Sequence, residues 1–230
     1  MKTLFTTLTL TFIAPFFLFA QKLSTEQQID SLIARMTLEE KAGQLSQFAG
    51  SWNSTSVNST VTPEQRAMVK EGKVGSFLNV FGSEITRELQ RIAVQESRMK
   101  IPLLYGFDVI HGFRTTFPIP LAEASSWDPD AVEKAARIAA TEAAAAGIHW
   151  TFAPMVDIAR DPRWGRIAEG SGEDPYLGSV MARARVKGFQ GEGGFTDNAV
   201  LACVKHYAAY GAAEGGRDYN TVDISERSLR

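Results

Sequence analysis

The sequence predicts an α/β protein with parallel strands, and three observations support this. Short apolar runs recur at residues 74–80, 103–107, 148–156 and 200–204. Helical segments separate them, an alternation typical of parallel strands joined by helical crossovers. The longest irregular stretches, 109–127, 157–172 and 207–224, all follow strands, where a (β/α)8 barrel builds its active face. We therefore predict the N-terminal half of a (β/α)8 TIM-type barrel, about four βα units long.

A doubly wound sheet is the alternative that gives the same alternation. A nucleotide-binding sheet of that kind carries G-x-G-x-x-G directly after its first strand. Here Gly191, Gly193 and Gly194 come after a helical segment instead, where they are predicted to make a turn. The barrel is therefore the favoured architecture.

Capping residues mark the predicted helix starts along the chain. These helices begin at Ser24, Thr37, Ser83, Asp128, Asp174 and Ser225. The first two residues open capping-box patterns, and the two aspartates each precede a proline at the first helical position. The helices that start at 83, 128 and 174 are predicted to end near residues 98, 146 and 190. Residues 51–62, rich in Ser, Thr and Asn, are predicted to be a loop.

Residues 1–20 are predicted to be a secretion signal peptide. Lys2 supplies the positive start, residues 8–19 form a mostly apolar core, and Ala20 is a plausible last residue before cleavage. A retained membrane anchor is the alternative reading. No other run is long enough to span a bilayer, so we expect no stable membrane association after cleavage.

Charge and cysteine content exclude other classes of protein. The formal net charge is −2 and no basic stripe appears, so a nucleic acid is not an expected partner. Cys203 is the single cysteine, which rules out an internal disulfide framework. Its apolar surroundings predict a small buried hydrophobic residue rather than a nucleophile.

Polar side chains at the strand ends predict a binding site. Lys205 and His206 close an apolar run, and lysine is rarely buried without a partner. Asp108 follows the second predicted strand and Arg166 lies in the loop after the third. Parallel strands converge, so these groups should surround one pocket. Carboxylates accept hydrogen bonds from diols, and ammonium, imidazole and guanidinium groups donate them.

This combination of charged groups indicates a sugar pocket rather than a lipid or nucleotide pocket. Trp127 and Trp164 offer flat apolar faces suited to a pyranose ring. The alternative for Asp108 is a loop cap. His149, in the middle of a strand, is interpreted as a satisfied core histidine, and His111 is expected to shape its own loop.

Nearby charged residues have structural interpretations. Arg160, Asp161 and Arg163 are read as an ion-pair network that braces their loop. Glu169 and Glu173 precede a helix, so they either brace the arginines or favour the helix N-terminus.

Four segments in order resemble glycoside hydrolase family 3, most closely the bacterial periplasmic β-glucosidases. They are YGFDVIHG at 105–112, RDPRWGR at 160–166, GEDPY at 172–176 and VKH at 204–206. The likeness runs from about Ile29 to Arg230. It implies that residues 21–230 are the N-terminal portion of a barrel domain that an α/β sandwich domain follows. It also implies a secreted, periplasmic protein that acts on β-glucosides or oligosaccharides.

The resemblance implies a role for each residue that matches the family motifs. Asp108 would grip the outer hydroxyls of glucose in the −1 subsite, and Arg166, Lys205 and His206 would bind the remaining ring hydroxyls. Successive strand residues point to opposite sides. For both Lys205 and His206 to face the sugar, the backbone must be irregular, so we predict a strained or cis peptide at or just after this pair.

The mechanism implied is retaining hydrolysis, with an aspartate nucleophile and a glutamic acid/base. The resemblance implies that the nucleophile lies on a later barrel strand and the acid/base in the second domain. Neither motif occurs before Arg230, so no catalytic residue is assigned in this chain, and no metal or cofactor is expected. The loop 207–219 contains no histidine, unlike that of the single-domain β-N-acetylhexosaminidases of the family, which favours the two-domain glucosidase type.

Three other functions stay open at this stage. Lys205 would form a Schiff base in an aldolase-like barrel, which requires a desolvated lysine. A secreted carbohydrate-binding remnant would bind glucose through the same four residues without turnover. β-Xylosidase or another exo-glycosidase activity of the same family is the third alternative.

Overall fold

The computed structural model describes residues 23–52, 58–192 and 196–230. The predicted signal peptide lies outside these residues. The chain divides into two compact units, Met1–Arg35 and Met36–Arg230. The described part of the first unit contains helix α1 (Thr25–Arg35). Its start is capped as predicted, because Ser24 and Gln27 exchange backbone-to-side-chain hydrogen bonds.

Within the described residues, the second unit contains one sheet of five parallel strands. They are β1 (Gln47–Ala49), β2 (Ser76–Leu78), β3 (Leu104–Phe107), β4 (Trp150–Thr151) and β5 (Leu201–Ala202). Each strand pairs with the next one along the chain, in the order β1-β2-β3-β4-β5. A doubly wound sheet reverses its order at a switch point, whereas this order runs in one direction. The predicted α/β fold of the barrel type, present in part, is confirmed.

The count of four strands was one too low. β1 was missed because its three residues, Gln-Phe-Ala, are too few to show a periodic pattern. The other strands lie inside their predicted ranges but are shorter. β4 pairs over two residues where nine were predicted, and an isolated bridge between Met155 and Lys205 follows it.

The helices of the second unit lie before, between and after these strands. They are α2 (Leu38–Gln44), α3 (Pro63–Lys70), α4 (Ser83–Arg91), α5 (Pro120–Ala124), α6 (Pro129–Ala145), α7 (Pro175–Gln190) and α8 (Glu226–Leu229). α4 continues into a π-helical turn, Ile92–Glu96. In the described part of the chain, no helix is long and apolar enough to cross a membrane.

Most predicted helix caps are confirmed. Thr37 forms a complete capping box, and the side chains of Asp128, Asp174 and Ser225 each accept a backbone N–H of the following turn. Ser83 was a wrong cap assignment. It is the first helical residue of α4, and Gly82 precedes it with a φ of 107°, a backbone angle that favours glycine.

Two helices were missed. α3 begins with a capping box of Thr62 and Gln65, which lies at the end of the stretch predicted to be a loop. α5 lies inside the predicted loop 109–127 and has only five residues.

The main core fills the space between the sheet and its helices. Phe77 and Tyr105 are fully buried there and their rings stack with centroids 6.3 Å apart. His149 is half-buried, its Nδ1 accepts the Tyr105 N–H at 3.3 Å, and burial lowers its pKa. It is a satisfied core histidine, as interpreted. Cys203 is half-buried rather than buried, since β5 forms an edge of the described sheet.

Candidate functional site

The ends of β4 and β5 are held together beyond their regular ladder. Lys205 donates its backbone N–H to the carbonyl of Pro154 at 3.0 Å, and Val156 donates to the carbonyl of Lys205 at 2.7 Å. These bonds extend the parallel pairing, with Met155 opposite Lys205. As a result, the residues that follow each strand emerge side by side at the carboxyl edge of the sheet.

The predicted irregular backbone is present. The peptide bond between Lys205 and His206 is cis, and so is the bond between Tyr207 and Ala208.

Lys205 forms an ion pair with Asp108 across this edge. The Lys205 Nζ lies 2.9 Å from the Asp108 Oδ1 and 3.9 Å from the Glu169 Oε2. The Lys205 side chain is only 13% exposed, whereas that of Asp108 is 46% exposed. Asp108 therefore presents carboxylate surface to an incoming group while the lysine is held beneath it.

Glu169 holds Arg166 in a fixed orientation. The Arg166 Nε and Nη2 donate to the two oxygens of Glu169 at 2.7 and 2.9 Å. This bidentate pair holds the pKa of the Glu169 carboxyl below its usual value. The bracing role considered for Glu169 is present, and through Lys205 the same carboxylate also joins the two sides of the site. Glu173 is exposed.

His206 is held from two sides. Its backbone N–H donates to the Asp157 Oδ2 at 3.0 Å, and its Nδ1 lies 2.8 Å from the same oxygen. On the other side, its Nε2 lies 3.5 Å from the Arg166 Nη1, at the outer limit of a hydrogen bond. Asp108, Lys205, Glu169, Arg166, His206 and Asp157 thus form one continuous chain of polar contacts.

Aromatic residues support this chain from behind. The Tyr210 ring packs edge-on against His206 with centroids 4.8 Å apart, and the Arg166 guanidinium lies 5.4 Å from its centre. Asp218 accepts hydrogen bonds from the Tyr210 hydroxyl at 2.6 Å and the Trp164 Nε1 at 2.9 Å. These two bonds hold the pKa of Asp218 below its usual value.

The prediction that Trp164 stacks on a sugar ring is wrong. Trp164 is 1% exposed and its N–H is bonded to Asp218, so it fills the support layer rather than facing a ligand. Its position in a polar segment gave no sign of this burial. Trp127 is 73% exposed.

The loop-bracing interpretation holds for two of the three residues. Asp161 and Arg163 pair through two side-chain hydrogen bonds, and this pairing lowers the pKa of Asp161 to about 2. Arg160 instead donates to the carbonyl of Ser228 at 2.9 Å. His111 shapes its own loop as expected, with Nδ1 3.0 Å from the carbonyl of Phe117.

Arg185 is a positioning residue that the sequence did not reveal. Its Nη2 pairs with the buried Glu123, and its Nη1 donates to the carbonyl of Ile110 at 3.1 Å, two residues after Asp108. Burial raises the pKa of Glu123. An arginine in an amphipathic helix is normally solvent-exposed, so its spacing gave no signal.

Comparison with known proteins shows the family to which this chain belongs. Residues 37–230 match the model of the glycosyl hydrolase family 3 N-terminal domain. The chain belongs to glycosyl hydrolase family 3. The expected resemblance is therefore confirmed, and the family match spans the five strands and the site residues described above.

Several family 3 relatives are similar over most of this chain. It is 46% identical over 206 residues to the periplasmic β-glucosidase of Salmonella typhimurium, covering 87% of this chain and 26% of that protein. It is 32% identical over 225 residues to a periplasmic β-glucosidase/β-xylosidase of Dickeya chrysanthemi, covering 87% of this chain and 34% of that protein. The chain thus spans between about a quarter and a third of the length of these relatives.

A solved structure gives the same result. The β-glucosidase of Listeria innocua in complex with glucose superposes with a TM-score of 0.79 at 39% identity, covering 90% of this chain and 30% of that one. The same enzyme carrying a substitution has been solved with laminaribiose, with the same score and identity. Among the described residues of our chain, no group of three or more His, Cys, Asp or Glu side chains is placed to hold a metal ion.

Proposed function

We propose that this chain supplies part of the glucose-binding −1 subsite of a retaining exo-β-glucosidase of family 3. The single observation that carries this proposal is the chain of contacts from Asp108 through Lys205, Glu169 and Arg166 to His206 at the strand ends. Its members combine donors and acceptors within one edge of the sheet, which is what a ring bearing adjacent hydroxyls requires.

The exposure of each group fits a sugar pocket. The half-exposed Asp108 carboxylate has lone pairs left for two hydroxyls after it pairs with Lys205. Arg166 commits one edge of its guanidinium to Glu169, so Nη1 stays directed towards His206 and the open side. Neither cation needs to move far to donate to a ligand, which keeps the cost of ordering the site low.

The Schiff-base alternative fits this geometry poorly. A lysine of that kind needs an uncharged amine in an apolar or cationic setting. Lys205 instead lies between the carboxylates of Asp108 and Glu169.

We further propose that the bond-breaking groups lie outside this chain, on the later strand and second domain that the family resemblance implies. These two relatives, roughly two and a half to three and a half times as long, are consistent with this. Residues 21–230 alone should then show no hydrolysis of nitrophenyl β-glucoside. Hydrolysis that persists after purification and is lost in the Asp108→Ala variant would contradict the proposal that the bond-breaking groups lie outside this chain. Secretion to the periplasm is the location we propose, in line with the named location of two relatives.

One observation keeps a second substrate class open. The Dickeya relative is named for both glucosidase and xylosidase activity, so β-xylosides are a second substrate class. Comparing kcat/KM for nitrophenyl β-glucoside and β-xyloside with the complete protein decides between them.

Glucose calorimetry tests the site itself. We expect the Asp108→Ala variant to lose at least tenfold in affinity, because it removes a charged acceptor from the sugar and unpairs Lys205. Asp161→Asn is the matched control, since that carboxylate braces its own loop through Arg163. Equal glucose affinity in the wild-type protein and the Asp108 variant would overturn the proposed site.

A further inference from the structure

We propose that Asp157 is a positioning residue that holds His206 as its Nδ1-protonated tautomer, so that Nε2 accepts a hydrogen bond from a sugar hydroxyl. This inference rests on the proposed function for the identity of the ligand. It also reverses the role expected from the sequence, in which the imidazole donates to the sugar.

The first argument is the placement of Asp157. Its side chain is 1% exposed and lies directly beneath His206. One carboxylate oxygen, Oδ2, receives the backbone N–H of His206 at 3.0 Å and faces Nδ1 at 2.8 Å. A carboxylate accepts and does not donate, so the ring nitrogen that faces it must carry the proton. Two contacts to one residue fix both the position and the rotation of the ring.

The second argument comes from the opposite edge of the ring. There Nε2 lies 3.5 Å from the Arg166 Nη1, and a guanidinium can only donate. A proton on Nε2 would therefore point at a cation. The Tyr210 ring closes a further side, with its centroid 4.8 Å from that of His206. Charged groups around the imidazole include Asp157, Arg166, the neighbouring Lys205 and, beyond the arginine, Glu169.

The consequence for a sugar is a mixed set of partners. Lys205 and Arg166 donate, whereas Asp108 and the Nε2 of His206 accept. A hydroxyl group both donates and accepts, so one hydroxyl between Arg166 and His206 can satisfy both of them at once. A ligand that lacks that hydroxyl would leave two polar groups unpaired, which is how such a site gains specificity.

The tautomer can be measured directly in the unliganded protein. The chain has three histidines. Labelling them with 15N and recording long-range nitrogen–proton correlations at neutral pH separates protonated from unprotonated ring nitrogens, and loss of one signal set in His206→Gln assigns His206. We expect Nδ1 protonated and Nε2 unprotonated. Protonation of Nε2, alone or together with Nδ1, overturns the inference without any variant of Asp157.

The Asp157→Asn variant tests the cause. Asparagine keeps the shape but can present an amide N–H to the ring, which inverts the tautomer, as replacing an orienting aspartate does elsewhere. We expect the proton to move to Nε2 and glucose affinity to fall about tenfold. Asp157→Glu should restore part of the Nδ1-protonated population and part of the glucose affinity. An unchanged tautomer in a folded Asp157→Asn protein would overturn the positioning role.

Asp161→Asn serves again as the control and should change neither readout. The two proposals fail separately. If His206 has the expected tautomer but its signals do not respond to saturating glucose, the proposed function is contradicted and the positioning role stands. If glucose shifts the His206 signals while Nε2 carries the proton, the site stands and the inference is wrong.

Discussion

Two arginine–glutamate pairs in this molecule have the same chemistry and different surroundings. Arg185 pairs with Glu123, and the two side chains are 6% and 10% exposed. Arg166 pairs with Glu169, and both side chains are 23% exposed. The first pair joins α7 to α5, and the second lies at the carboxyl edge of the sheet.

The difference in burial separates a pair expected to be structural from a pair proposed to bind a ligand. In the buried pair hydrogen-bond partners can come only from nearby protein groups, and within the described part of the chain the Arg185 Nε has none. In the open pair, Arg166 keeps one nitrogen directed at His206 and the solvent side. A charged side chain that is fully enclosed can only hold neighbouring parts of the fold in place. A charged side chain that is paired on one side can still bind a ligand on the other.

The largest expected effect is on stability, from breaking the buried pair. Arg185→Met should lower the free energy of unfolding by about 3–5 kcal/mol, because Glu123 is left buried and unpaired. Urea denaturation followed by circular dichroism measures this. The double variant Arg185→Met with Glu123→Leu should recover most of the loss, since replacing both charges by apolar groups is often neutral. A single variant as stable as the wild type would contradict the structural role.

Breaking the partly exposed pair of Arg166 and Glu169 should have a small effect on stability and a large effect on glucose affinity. Arg166→Ala is expected to change the free energy of unfolding by only about 1 kcal/mol, as partly exposed ion pairs do. Its glucose affinity should fall at least tenfold because a charged donor is lost. Calorimetry and urea denaturation on the same preparations give both numbers. A large loss of stability with unchanged glucose affinity would show that Arg166, like Arg185, has a structural role, and would contradict the comparison between the two pairs.

The smallest expected effect is on the acid dependence of stability. The pKa of Glu169 is lower in the folded chain than its usual value of 4.5, mainly because Arg166 donates to it. Its contribution is therefore fully present above pH 4.5 and is lost as the pH falls through the lower folded-state pKa. Glu169→Gln should flatten the fall in unfolding free energy below pH 4.5 by under about 1 kcal/mol. An unchanged acid profile would show that the pairing contributes nothing in solution.

The sequence predicted the parts of the fold that depend on local chemistry. Asp128 and Asp174 cap their helices because a carboxylate directly before the first turn can accept its free N–H groups. It also predicted that Lys205 would need a partner, and Asp108 is that partner. These inferences need only neighbouring residues or the convergence of parallel strands.

What the sequence missed depends on tertiary packing. β1 is three residues long and is recognisable only by its pairing with β2. Trp164 is enclosed because Asp218, fifty-four positions away, accepts its N–H. Arg185 reaches the segment after Asp108 from the middle of a helix that otherwise looks amphipathic. None of these contacts leaves a periodic or spaced signal in the chain itself.

The central claim is that the carboxyl edge of this sheet binds glucose through its open charges. A crystal structure of the complete protein soaked in glucose tests it most directly. We predict a sugar with hydroxyls within hydrogen-bonding distance of the Asp108 carboxylate, the Lys205 Nζ and the His206 Nε2. Glucose bound elsewhere, or an empty site at saturating glucose with these three side chains in place, would contradict the account.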